Sequence, residues 1–306
     1  MRALNPPGSD PDGRAFVLDE SEDRPVAGPT RRFRLPYLRL GTWLGVAIMG
    51  AALAIACVGP WISIHDPNDF SSTVNAAPSD IHWLGTDDLG QDVFARLIVG
   101  TRLSLVVGTF AALVALVAGT LAALIGMASG RMGNLLIFGM VDLIRALPGV
   151  LFALALVVAI EPGTTSVVLA LGLAFAPDFA RITRASYLQE AARPYVAAAF
   201  VFGASPVRIA LVHILPNITG ALVTQFAIIL PRCIVLEAVL SFLGLGVSPE
   251  YATWGRMIAS ASSYTEEAPH VLLAPIVALS VVTFAFAMIG DELRRRFDPA
   301  RRRIMT

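Results

Sequence analysis

Six apolar runs constrain this chain more than any other feature of its sequence: Leu40–Ile64, Leu103–Ser129, Leu135–Ile160, Ser166–Phe179, Ile214–Leu236 and Val271–Ile289. A helix needs about 20 mostly apolar residues to cross the hydrocarbon core of a bilayer. Within that layer each backbone polar group must be paired internally, which a helix achieves alone. The runs therefore predict an all-α, polytopic membrane protein with about six transmembrane helices. The fourth run is short and has to borrow polar flanks such as Pro177 and Asp178. Gly and Pro inside several runs do not argue against helices here, because membrane helices tolerate both.

Composition agrees. The chain has 306 residues, 56% of them apolar and 15% charged. That is too little polar material to coat a soluble domain of this size. A formal net charge of +0 provides no basic footprint for nucleic acid. All the basic residues are arginine, and nothing functional follows from that. Cys57 and Cys233 both fall inside apolar runs, so they read as small buried hydrophobes rather than a disulfide. His65, His82, His213 and His270 make no metal-ligand spacing such as H-E-x-x-H, which disfavours a catalytic metal.

Between the runs the charges segregate. Residues 1–38 are rich in Pro, Gly and charge, and are expected to be a mobile tail. Arg31, Arg32, Arg34 and Arg39 precede the first apolar run, and the first transmembrane helix is expected over residues 39–64. Arg131 lies in the second-to-third turn, and Arg181, Arg184, Arg193 and Arg208 in the fourth-to-fifth connection. Arg294, Arg295, Arg296, Arg301, Arg302 and Arg303 follow the last span in a basic tail, residues 293–306. With six spans these segments share one side, which the positive-inside bias makes cytoplasmic. The opposite side carries an acidic loop, residues 65–100, and a second loop with Glu250, Glu266 and Glu267. The core of the molecule is then 101–292, with a cytoplasmic loop near 190–212.

That loop has a legible local structure. Pro194 to Phe202 reads as a short helix ended by Gly203, and a second helix begins at Ser205 with Pro206 in its first turn. A helix of small residues in such a loop fits a groove on a partner. On the residues alone, an ordinary connector is the competing reading.

Taken with the rest of the chain, this segment resembles the EAA loop of ABC importer permeases, the coupling helix that docks on the ATPase. The chain is similar in particular to the C-component permeases of the dipeptide/oligopeptide/nickel family. Four further segments carry the resemblance: His82–Asp87 with Leu89–Asp92; Asp178–Tyr187; Leu236–Ala238 with Leu240–Gly246 and Trp254-Gly255; and Gly290-Asp291 with Leu293, Arg294, Asp298 and Pro299. It covers roughly residues 40–303. Two departures stand out. Ala197 occupies a position where the family usually has Glu, and Arg295 one where an acid is common.

The resemblance implies a type I ABC importer permease fold in a bacterial inner membrane, with both termini cytoplasmic. It implies a coupling loop formed by Tyr195, Ala197, Ala198, Ala199, Gly203, Ala204, Ser205, Arg208, Leu215 and Pro216. The chain has no G-x-x-x-x-G-K-[ST] loop of its own. It is therefore not expected to be an enzyme or to bind a cofactor or metal, and ATP and magnesium would sit on two partner ATPase subunits or domains. A second, different permease chain and an extracytoplasmic substrate-binding protein complete the implied assembly. Short peptides lead as cargo, with nickel, glutathione or another small solute as alternatives.

Charges at span depth are candidates for the translocation path. Asp142 and Arg145 lie three apart, on one helix face, where an intrahelical ion pair competes with a path role. Arg232 and Glu237 are poorly spaced to pair with each other, so each could face the path or the partner permease. Asp87, Asp88, Asp92 and Glu250 are candidates for contact with the binding protein, a solvated face being the alternative. A secondary transporter would account for the spans and buried charges but not for the coupling loop, and no internal repeat supports one. No filter or ring of charges suggests a channel.

Overall fold

The computed structural model describes residues 40–297 apart from 63, 64, 72 and 249. The tail expected over residues 1–38, Arg39 and the basic end beyond Phe297 lie outside the described residues. The helices are α1 (Leu40–Ile62), α2 (Val93–Ala128), α3 (Gly130–Ala146), α4 (Gly149–Ile160), α5 (Thr164–Ala191), α6 (Pro194–Val201), α7 (Pro206–Arg208), α8 (Leu215–Phe242), α9 (Trp254–Ala261) and α10 (Pro269–Phe297). Among the described residues there is no strand; the only bridge pairs Thr86 with Asp92.

Five helical segments are long and apolar enough to cross a membrane, and a sixth span results if α3 and α4 count as one. Here the sequence reading needs correction. The run Leu135–Ile160 is not one straight span: α3 and α4 meet at 99°. The cause is Pro148. Its ring drives the preceding residue out of the helical region, and Leu147 is extended at φ −88°, ψ 140°.

The fourth span is also longer than its apolar run. At 28 residues, α5 extends about 42 Å at 1.5 Å per residue. Only its first half is apolar; its second half carries Arg181, Arg184 and Glu190 on toward the loop that holds α6 and α7. Likewise α2 begins at Val93, ten residues before the apolar run, and its 36 residues span about 54 Å. Both outreach a hydrocarbon core of about 30 Å.

The core is a seam of small residues. Ala111, Ala112 and Ala115 of α2 are fully buried against α5, where Val167, Ala170 and Leu171 are equally buried. With no hydrophobic drive between helices in lipid, close backbone approach supplies the packing energy. A Cβ at Gly119 would fall on the Ala176 carbonyl oxygen, so the two backbones meet there. On the other flank of this seam α8 packs Ile229, Cys233 and Ile234. Cys233 is buried as expected; Cys57, contrary to expectation, is exposed on α1.

Candidate functional site

The loop between α5 and α8 folds as its residues dictate. Pro194 opens α6, and Gly203 closes it at φ +82°, a conformation that disfavours any side chain. The Ala204 amide donates to the Ala199 carbonyl and the Gly203 amide to that of Phe200, each at 3.0 Å. These two bonds are a Schellman cap, which satisfies the last carbonyls of the helix. Ser205 then caps α7, its hydroxyl accepting from the Arg208 amide at 3.3 Å. A π-helical turn, Ile209–Ile214, precedes α8. Pro216 stands just beyond it and cannot supply the usual i→i−4 donor.

What α6 presents is apolar. Phe200 is 68% exposed, Val201 81% and Phe202 90%. Ala197 and Ala198 are exposed beside them, and Val196 alone is buried, anchoring the helix. Arg208 is exposed on the neighbouring turn. A side chain at position 197 therefore points outward, so a change there alters the surface without disturbing the interior.

One tyrosine ties this helix to its neighbours. The Tyr195 hydroxyl donates to Glu190 Oε1 at 2.7 Å and accepts from Asn217 Nδ2 at 3.1 Å. Asn217 also donates to the His213 carbonyl at 2.6 Å. So α6 is fixed to the end of α5 and the start of α8 together. Partial desolvation, then the Glu190 carboxylate, raise the Tyr195 phenol above its ordinary pKa.

The charges at span depth sort differently from expectation. Arg145 does not pair with Asp142. It reaches across to Asp178 of α5, Nη1 to Oδ1 2.8 Å, while Asp142 is exposed. The 99° corner turns Arg145, at the end of α3, toward α5, and intrahelical spacing could not reveal that. Further along, Arg184 ties α5 to the first half of α3, donating to Asn134 at 3.2 Å and stacking 4.1 Å above the Phe138 ring. Arg232 is exposed and lines a recess of about 460 Å³ with Gly149, Val150 and Phe175, next to the corner. Among the described residues it has no ion-pair partner.

Glu237 faces neither a path nor a partner chain. It is fully buried in α8, accepting from Ser241 Oγ at 2.7 Å, with Ser104 and Thr253 alongside. Ser104 Oγ in turn accepts from the Trp254 amide at 3.2 Å. A Cβ on Gly255 would collide with the Ala238 backbone. The segments Leu236–Ala238 and Trp254-Gly255 are thus the two halves of one joint, seating α9 on α8 and α2.

The acids of the first loop also need correction. Asp87 and Asp92 are each only 5% exposed, so they are not a docking surface. Asp87 accepts from the amides of Leu89 and Gln91 at 3.0 and 2.8 Å and pairs with Arg96 at 3.4 Å. Burial raises its carboxyl above the ordinary range against these opposing contacts. Asp92 caps α2 through Oδ1, accepting from the Ala95 amide at 2.8 Å. Its other oxygen meets His82 Nδ1 at 2.8 Å and His65 Nδ1 at 3.5 Å. Sequence spacing gave no metal-ligand grouping, yet these three side chains converge in space. Asp88 is half-buried, and Glu250 is exposed.

Known proteins share this architecture. The profile of the family described as "Binding-protein-dependent transport system inner membrane component" matches residues 115–303. The glutathione transport system permease protein GsiD of Shigella dysenteriae serotype 1 is 35% identical over 271 residues, covering 88% of each chain. Its counterpart in Pectobacterium atrosepticum is 34% identical over 286 residues, covering 92% of this chain and 95% of its own. Among solved structures, an amino acid ABC transporter crystallised with histidines superposes at a TM-score of 0.50 and 21% identity, covering 66% of this chain and 94% of that one. That superposition speaks to the fold alone.

Proposed function

The chain belongs to the binding-protein-dependent transport system inner membrane component family, and from that premise we propose that it carries short peptides, glutathione among them, through a path whose opening is set by the α6 loop. It is a multi-pass inner-membrane subunit of an ABC importer and not itself an enzyme. The observation that carries the proposal is the outward apolar tip of α6. Phe200, Val201 and Phe202 project from a loop flanked by Arg193 and Arg208. A patch so placed, in a segment whose arginines mark the cytoplasmic side, needs a protein partner to cover it.

In this reading the partner is an ATPase subunit, which holds ATP and magnesium. Closure of two ATPases moves α6, and Tyr195 passes the motion to α5 and α8 together. The outward-open and inward-open packings then exchange population according to which one the ATPases hold more tightly. With Ala at position 197, docking relies on shape and apolar contact instead of a charge. A second, different permease chain closes the path opposite this one, both termini are cytoplasmic, and a binding protein delivers cargo to the acidic side, where Glu250 is exposed. The corner between α3 and α4, with Arg232 beside it, lines the path. Broken helices near mid-span commonly build substrate sites in transporters, and a cation at that depth is costly unless it meets water or an anion. Asp142 and the Arg145–Asp178 pair belong to the same stretch of wall.

The test uses the complete complex in lipid nanodiscs with its binding protein. The ATPase rate is measured with and without glutathione and a dipeptide and tripeptide pool, for the native chain and for Gly203→Trp. Gly203 has open space around it, so the substitution strains the turn without jamming the core. Peptide stimulation that Gly203→Trp abolishes, with the complex still assembled, supports the proposal. Stimulation that survives the substitution overturns the coupling role. A response to nickel or another solute alone overturns the cargo.

A further inference from the structure

We propose that His65, His82 and Asp92 form a binding site for a first-row divalent transition ion of the Zn²⁺ class, beside the N-terminus of α2. The site is separate from the coupling loop and from the wall around Arg232, and it does not depend on what the importer carries.

The donor set comes first. His65, His82 and Asp92 each offer one ligand atom, and these three atoms lie within 4.8 Å of one another. The two nitrogens stand 3.5 and 2.8 Å from the same carboxylate oxygen. Metal bonds of about 2.0–2.2 Å hold neighbouring tetrahedral ligands about 3.3 Å apart, so the spacing already approximates one face of a coordination tetrahedron. Two imidazoles and one carboxylate suit Zn²⁺, Ni²⁺ or Cu²⁺; hard ions such as Mg²⁺ and Ca²⁺ prefer oxygen alone.

Preorganisation comes second. Asp92 is buried, and its Oδ1 is committed to the Ala95 amide, which aims Oδ2 at the imidazoles. The His65 and His82 rings are held against each other, centroids 4.9 Å apart. Partners that fix a ligand's orientation in this way strengthen metal binding. The three side chains border a cavity of about 110 Å³, whose wall also carries Asp66 and Asp69. That volume accommodates an ion together with water in its fourth position, and the two acids favour a cation there.

Binding balances without any external reagent. Coordination needs the lone pair of each Nδ1. A neutral His82 that donates from Nδ1 to Asp92 shifts its proton to Nε2, and one hydrogen bond is replaced by two bonds to the ion. The ion would tie residue 65, just past α1, to the first turn of α2, pinning the ends of the intervening loop.

The test uses the full chain in its complex, freed of metal by chelation and dialysed against Co²⁺ or Zn²⁺ with bound metal counted per chain. The expected result is one Co²⁺ per chain, with visible ligand-field absorption that Zn²⁺ abolishes and equal Mg²⁺ does not. His65→Ala, which spares the cap on α2, should weaken binding at least about tenfold; His213→Ala, far from the cluster, should not. Asp92→Asn should weaken it too, with assembly of the complex as its folding control. Absence of saturable binding near one ion per chain, or binding unchanged by His65→Ala, overturns the site and leaves a hydrogen-bonded imidazole–carboxylate cluster.

Discussion

Tyr195 donates a 2.7 Å hydrogen bond to Glu190, joining the first turn of α6 to the last turn of α5. The same hydroxyl accepts from Asn217 at the start of α8. A docking helix held at one point would swivel when pushed, whereas one held by two long helices transmits the push.

Tyr195→Phe removes the hydroxyl and keeps the ring. Each bond lost with the hydroxyl is worth about 1 kcal/mol, roughly a fivefold change in an equilibrium. The complex should assemble normally and hydrolyse ATP, while cargo carried per ATP falls severalfold. Vesicle uptake measured alongside ATP turnover checks this, and an unchanged ratio would count against the tyrosine as a linkage.

Glu237 provides a contrast in which stability, not coupling, should suffer. Glu237→Ala empties a fully buried site and strips Ser241 of its acceptor, a loss of about 3 kcal/mol. Glu237→Gln keeps the volume and an acceptor oxygen and should cost far less. Thermal unfolding in nanodiscs should rank native, Gln and Ala in that order, well separated only for Ala.

The ion pair at the corner is testable by a double-mutant cycle. Arg145→Ala and Asp178→Ala should couple by about 1 kcal/mol or less at this degree of exposure. Pairing Arg145→Ala with Asp142→Ala should show no coupling. Coupling to Asp142 instead would mean that α3 continues straight.

Gly119→Ala addresses the main seam. Its new methyl would press on the Ala176 backbone oxygen, which cannot rotate away. Overpacking of this kind costs about 1–3 kcal/mol or more, and folded chain recovered from membranes should fall markedly. Ala at Gly139, where nothing lies nearby, is the matched control.

Much of this was legible in the sequence, and the failures have physical causes. Hydropathy located every span because lipid demands continuous apolar cover. It undercounted α5 and α2, since a helix continues past the membrane with polar residues that hydropathy does not register. Pro148 was visible, but not the geometry of the bend, which depends on what α3 and α4 pack against. The local structure of the loop between α5 and α8 was readable because Pro194, Gly203, Ser205 and Pro206 act locally. Asp87, Asp92 and Glu237 were misjudged for the opposite reason: whether an acid faces water or a buried cap is decided by residues distant in the chain. The same distance hid the Arg145–Asp178 pair and the approach of His65 to His82.

The exposed tip of α6 has a consequence for the cell as well as for transport. On the proposed docking, a subunit without its ATPase would leave Phe200, Val201 and Phe202 uncovered, and an exposed apolar patch favours association. Made in excess, such a subunit would offer quality-control proteins an apolar handle. If an ATPase covers the patch as proposed, the surface that would pass on its motion would also match the number of permease chains to the number of ATPases, because only a paired chain would have it hidden.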